Sequence, residues 1–195
     1  DRNPGDEALA KFRELAEGAS SLVRLHLASS LQRLAPADRW EIAEALSRRA
    51  EDPADPNLPL MLWYGIEPLI ETNAERFVGL AADTRIPPVA RHIARRAASA
   101  AKPPGLDLLV RTASSLASQD RPAVLAELLA GTIKGLEGRR RVPMPGHWAP
   151  TFSQLQGIAN EAVRERAMEL ALIFDDPAAL ASLRRTAVDR AAPSP

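Results

Sequence analysis

A chain of 195 residues that is 46% hydrophobic but only 4% aromatic has the apolar mass for a packed core built from Leu, Ala, Ile and Val, which excludes global disorder. Its 25 basic residues balance 25 acidic ones, so it lacks the overall basic charge of a nucleic-acid or anionic-membrane binder. It has no cysteine, which excludes a disulfide, a thiolate metal site, a cysteine nucleophile and covalent haem attachment within the chain.

The first element follows a polar opening, DRNPGDEALAKF, that has no signal-peptide pattern and reads as a cut inside a longer protein or a processed mature end. Residues 7–17 read as the tail of a helical unit. The next helix carries Val23, Leu27, Leu31 and Leu34 on one face. Pro36-Ala37-Asp38 then separates it from a partner helix over 37–50, with Asp38 offered as the N-cap. A turn-rich connector, EDPADPN, leads into the most apolar stretch, DPNLPLMLWYGIEPLI (55–70). Its 13 residues from 58 to 70 include two prolines and Glu67, and a bilayer span needs about 20 apolar residues, so it is a core helix with no membrane span. Pro59 fits the first turn of this helix, whereas Pro68 kinks or loosens its last turn. Leu62, Ile66 and Ile70 form its apolar face, and the pattern stops at Asn73.

A partner helix follows over 74–83. Pro87 and Pro88 open the next helix, with Val89, Ile93, Ala97 and Ala100 on its face. KPPG (102–105) leads to a partner over 106–118. Leu125, Leu129, Ile133 and Leu136 mark another helix. After it the connector GRRRVPMPGHWAP (138–150) is much longer than the others, and long loops in compact arrays are often functional. A partner over 151–160, a helix carrying Val163, Ala167, Ala171 and Phe174, the turn DDP and a final partner over 177–190 complete the chain.

The apolar faces start at 23, 62, 89, 125 and 163, which are 39, 27, 36 and 38 residues apart. Two helices per unit at that spacing predict an all-α fold, a right-handed α-solenoid of about five HEAT-like helix pairs forming one array over 1–195. The 27-residue step predicts a shortened partner helix in the second unit. No polar capping unit is evident at either end, so the array reads as a segment of a longer multidomain protein.

Three groups of residues are candidates for function. Trp63, Tyr64 and Glu67 share a helix at spacings of three and four. They make either a ligand or glycan platform, with the rings stacking and Glu67 accepting hydrogen bonds, or a seam in which Trp63 is buried and Glu67 pairs with an arginine of the next helix. Arg91, Arg95 and Arg96, with Arg139, Arg140 and Arg141, make either an anion-binding surface or solvated faces paired to carboxylates such as Glu67 and Glu137. His147, beside Trp148, is the more exposed histidine candidate. His26 and His92 stand at the same offset from Val23 and Val89, which reads as structural equivalence along the array. No metal-ligand spacing, P-loop, G-x-G-x-x-G or G-x-S-x-G is present, and nothing pairs two carboxylates as general acid and base. No catalytic residue, metal site or cofactor is expected in this segment.

The stretches VRLHLASSLQRL (23–34), DPNLPLMLWYGIEPLI (55–70), IPPVARHIARRAAS (86–99), GLEGRRRVPMPGHW (135–148) and LALIFDDPAALASLRR (170–185) occur in this order. Together they resemble the HEAT-like segment of large exported planctomycete and verrucomicrobial proteins, which fuse a sugar-dehydrogenase-type propeller, this helical array and a haem-binding cytochrome c domain. The resemblance covers almost the whole chain and is most specific at LWYGIEP and RRRVPMPGHW. It implies a periplasmic or exported location and a connecting module in a redox-associated protein, with any haem held in another domain, since this chain has no C-x-x-C-H and no propeller blades.

Three functions follow as expectations. The first is a non-catalytic scaffold for a protein partner or for neighbouring domains. The second is a nucleic-acid binder or DNA glycosylase of the HEAT-like kind, with Arg91, Arg95, Arg96 and Arg139–Arg141 on phosphates, against which the zero net charge counts. The third is a small-molecule or glycan groove at Trp63, Tyr64 and Glu67.

Overall fold

The computed structural model describes residues 4–49, 55–100 and 105–188, and side chains as far as 185. The described residues form eleven α-helices and no strand, so the fold is all-α. The helices are α1 (Asp6–Gly18), α2 (Ser21–Ser30), α3 (Pro36–Ser47), α4 (Leu58–Ile66), α5 (Ala74–Asp83), α6 (Pro87–Ser99), α7 (Gly105–Ala117), α8 (Pro122–Leu136), α9 (Trp148–Gln156), α10 (Glu161–Ile173) and α11 (Pro177–Val188). Most of EDPADPN, most of KPPG and the AAPSP tail lie outside the described residues.

Proline sets many of the starts. Pro36, Pro87, Pro122 and Pro177 each occupy the first helical position, where a missing N–H costs nothing. Pro36 overturns the expected cap at the start of α3: Ala35 is the N-cap, and Asp38 lies inside the first turn, its N–H bonded to the Ala35 carbonyl at 2.9 Å. Side chains cap elsewhere. The Asn73 amide oxygen accepts from the Arg76 N–H at 2.9 Å, and that of Asn160 from the Val163 N–H at 3.1 Å. Asp55 accepts from the N–H groups of Asn57 and Leu58 ahead of Pro59. At Pro68 the chain tightens into a 3₁₀ turn over Glu67–Glu71, the loosened last turn expected of that proline.

The helices pair as α1–α2, α3–α4, α5–α6, α7–α8 and α9–α10, and each pair packs on the next. The even-numbered helices α2, α4, α6, α8 and α10 lie side by side in one layer, and α1, α3, α5, α7 and α9 in a second. This shifts the phase expected from sequence, where each apolar face was grouped with the helix that follows it. Contacts are more extensive with the helix before. The short step between α4 and α6 fits the expected short partner helix: α5, at 10 residues, is shorter than the 12-residue α3 and the 13-residue α7, and the brief link over 84–86 shortens the step further.

Nearly every residue of the repeated apolar faces is buried, including Leu27, Leu31, Leu62, Ile66, Val89, Ile93, Leu125, Leu129, Val163 and Ala167. The tightest junction joins α6 and α8. Ala94 and Ala98 of α6 meet Gly131 and Gly135 of α8, so backbone touches backbone. A Cβ built at Gly131 would sit 2.2 Å from the Arg91 carbonyl oxygen, and one at Gly135 would sit 2.5 Å from that of Arg95.

Arginine does much of the polar work between helices. Buried Arg39 donates to the carbonyls of Leu34 at 2.9 Å, Gly65 at 2.9 Å and Gln32 at 3.2 Å, tying α3 to the ends of α2 and α4. Arg39→Met keeps the apolar stem but leaves those acceptors without their donor. The expected loss is about 2 kcal/mol in urea unfolding, and a change within about 0.5 kcal/mol would show that the three bonds contribute nothing net.

Candidate functional site

The even-numbered layer carries most of the side chains singled out by sequence, and its outward face changes character from one helix to the next. Leu60 and Tyr64 of α4 are exposed, Tyr64 by 49%. Being four apart, they point the same way. Arg91 and Arg95 occupy the corresponding stripe of α6 and are exposed. On α8 the stripe is Ala123, Ala130 and Lys134, with half-buried Glu127 beside it. On α10 it is Glu161, Glu165 and Glu169, all exposed.

Trp63 and Glu67 do not join Tyr64 on that face. The Trp63 ring fills the seam between α4, α5 and α6, stacked on His92 at 5.2 Å and tilted against Phe77 at 6.4 Å. Glu67 accepts from Arg96 Nε at 2.8 Å, and Glu71 accepts from Arg96 Nη2 at the same distance. Arg96 therefore closes the α4–α6 seam. Tyr64 is the most exposed residue of this trio, while the paired Glu67 side chain stays partly in solvent.

The arginines do not form one cluster. Arg91 pairs with Glu127, donating from Nη2 to Oε1 at 2.8 Å. Arg166 of α10 approaches the same oxygen at 3.8 Å. Arg139 instead donates to the Ala100 carbonyl at 3.2 Å, just past the C-terminal end of α6. At 1.5 Å per residue that point lies ~13 Å along the helix from Arg91. Arg140 and Arg141 are exposed, and neither they nor Arg95 make an ion pair among the described residues. Glu137 pairs with Lys134, its neighbour in sequence.

The connector expected to be a long loop is partly core. Val142 and Pro145 are buried, and Trp148, at 1% exposure, opens α9 stacked on Phe152 at 5.6 Å and edge-on to Phe174 at 4.9 Å. The structure thus places Trp148 inside the protein, while His147 before it is exposed. His26 and His92 both lie on even-numbered helices, but His26 is exposed and His92 is half-buried in the seam. Among the described residues no three His, Asp or Glu side chains stand close enough to hold a metal ion.

Sequence reading passed over the trough between α6, α8 and α10, a solvent-open volume of about 590 Å³. Arg91 and His92 form one wall, Ala123, Ala126 and Glu127 the floor, and Arg166 the opposite wall. Its signal was present in the repeat register. Tyr64, Arg91, Glu127 and Glu165 each stand two places after the residue that opens their apolar face, so the four are equivalent positions on neighbouring helices.

Partial burial lowers the pKa of His92 below its usual value, and the guanidiniums of Arg91 and Arg95 lower it further, with Glu127 partly opposing. The folded chain therefore favours neutral imidazole. Below about pH 6.5 the unfolded chain binds the proton more readily, so stability is full above that pH and falls as the pH drops toward the folded value. His92→Gln should show a smaller drop in melting temperature than wild type between pH 7.5 and 5.5. Equal drops would mean that this seam does not sense the proton.

Comparison with protein-family models, with curated proteins and with solved structures finds no match for the chain.

Proposed function

We propose that the chain is a right-handed, HEAT-like α-solenoid of five helix pairs, serving as a non-catalytic scaffold that binds a protein partner or docks neighbouring domains. The observation that carries this reading is the spacing of the polar links between helices. Arg76 reaches Glu44 across 32 residues, Arg91 reaches Glu127 across 36, Thr84 reaches the Ser47 carbonyl across 37, Arg121 reaches the Ala82 carbonyl across 39 and Ser114 reaches Gln154 across 40. Each spans about one unit, which is the nearest-neighbour pattern of a stacked array. Arrays of this kind present a continuous face, and here that face carries exposed Tyr64 and Leu60 beside unpaired Arg95. The glutamates of α10 oppose a phosphate backbone on the same face, which favours protein over nucleic acid.

The stretches at 55–70 and 135–148 support a place between a propeller and a cytochrome c domain in an exported protein, with haem bound outside this segment. No helix among the described residues is long and apolar enough to cross a membrane.

Truncation tests the array. Removing residues 138–195 takes away α9–α11 and should leave α1–α8 helical, with a cooperative unfolding transition and a smaller dependence on denaturant. A remnant without such a transition would mean that all the helices share one indivisible core. Hydrogen exchange of the array alone and within the longer protein tests docking, which predicts added protection on α4, α6 and α8 in the longer chain.

A further inference from the structure

Two contacts fix how α4 and α6 lie together. Trp63 stacks on His92 and Glu67 pairs with Arg96, so each contact joins residues 29 apart in sequence. The shared offset makes the two helices parallel and puts Arg95 level with Ile66, ~3 Å along the axis from Tyr64. Leu60 stands three residues before Trp63, Tyr64 three before Glu67 and Arg95 three after His92, so each is the surface neighbour of a residue in the seam. All three are exposed. The outer side of the seam therefore has an apolar edge, Leu60 and Tyr64, and a cationic edge, Arg95, with the half-buried Trp63–His92 stack between them.

Its charge is one-sided. α2, α4 and α6 contain no Asp or Glu. The carboxylates that reach α6 from its neighbours are already taken, Glu67 and Glu71 by Arg96 and Glu127 by Arg91. Arg95 makes no ion pair among the described residues, and its charge is felt at His92, whose proton it helps to hold off. Tyr, Trp and Arg are also the side chains that carry most binding energy at protein interfaces.

We propose that this outer α4–α6 face binds an acidic segment of a protein partner, anchored by a bulky apolar side chain. The anchor rests on Leu60, Tyr64 and the edge of Trp63, and a neighbouring carboxylate pairs with Arg95. The assignment rests on the scaffold reading and adds the chemistry of the partner.

The probe is a fluorescent 14-residue peptide carrying two Leu, one Phe and four Glu, titrated against the whole chain by anisotropy. It should bind at least tenfold more tightly than the same peptide with Lys for each Glu, or with Ser for each Leu and Phe. Arg95→Glu should weaken it about tenfold and at the same time improve binding of the Lys peptide, an exchange that a folding defect would not produce. Tyr64→Ser, on an exposed position, should weaken it about fivefold while the circular dichroism stays that of wild type. Arg111→Glu, on the exposed surface of α7, makes the same charge change and should alter nothing.

No binding, or equal losses from Arg95→Glu and Arg111→Glu, overturns the assignment. Sedimentation with phosphatidylserine vesicles that Tyr64→Ser and Arg95→Glu abolish would give the face to a lipid surface and overturn the peptide. So would a dimer in ultracentrifugation that the same variants dissociate, which would give it to a second copy of the chain. Hydrogen exchange within the longer protein decides the scaffold reading separately, so that reading can stand while this one falls.

Discussion

Gly131→Leu is expected to lose about 3 kcal/mol of stability or more, the upper end for overpacking, because the new side chain has nowhere to go. Its first atom alone would sit 2.2 Å from the Arg91 carbonyl oxygen and 2.9 Å from the Ala94 methyl. A backbone oxygen cannot rotate aside as a flexible side chain can, so α6 and α8 must separate and the alanine contacts between them are lost. For a chain of this size the loss corresponds to a fall of roughly 6–12 °C in melting temperature. The sign is tested by a matched pair. Gly131→Ala and Gly79→Ala make the same chemical change inside helices, and both gain about 0.5–1 kcal/mol of intrinsic preference. Gly79 has nothing within 4 Å of the added methyl, so that variant should be stabilised while Gly131→Ala is destabilised. Should the two move together, close backbone approach is not what holds the α6–α8 junction.

The second large effect concerns Trp148. Trp148→Ala is expected to cost about 3–5 kcal/mol, as for other large aromatic truncations in cores. The ring is fully enclosed and is held by Phe152 and Phe174, so its loss opens a cavity between α9 and α10. Trp148→Phe should retain most of the stability. It preserves the aromatic packing and removes an indole N–H that has no acceptor among the described residues. Chemical denaturation of both variants checks this. An alanine variant within about 1 kcal/mol of wild type would show that the segment around 148 is a dispensable loop. A binding assay on such a variant has to be read beside its stability, because a partly unfolded protein loses any surface it has.

These sites show where sequence was informative and where it was not. Helix positions were legible because apolar faces repeat every three or four residues and prolines mark the starts, as at Pro59 and Pro87. The pairing of helices was not. An apolar face says that a helix packs, without saying whether its closer partner comes before or after it, and the extensive α5–α6 and α7–α8 contacts settle that only in space. Trp148 was mistaken for loop because it follows Pro145 and Gly146, yet its N–H bonds to the Pro145 carbonyl at 3.0 Å and a helix begins there. The arginines were hard to assign because several of their acceptors are backbone carbonyls, as for Arg39 and Arg139, and carbonyls leave no mark in a sequence. The Arg91–Glu127 pair was legible in principle, since each stands two places after the residue that opens its helix's apolar face.

Backbone meeting backbone at α6 and α8 has a mechanical consequence as well. Where side chains separate two helices, a seam yields through their torsions. The α4–α6 seam is of this kind, with Trp63 on His92 and Arg96 reaching across to Glu67 and Glu71. Between Gly131 and Arg91 no rotatable bond intervenes, so a bending load passes through that point with little give and the strain collects on either side. In elastic terms the molecule is two short levers on a rigid hub, and a pull at its ends would change the angles at α4–α6 and α8–α10 before it disturbed the middle.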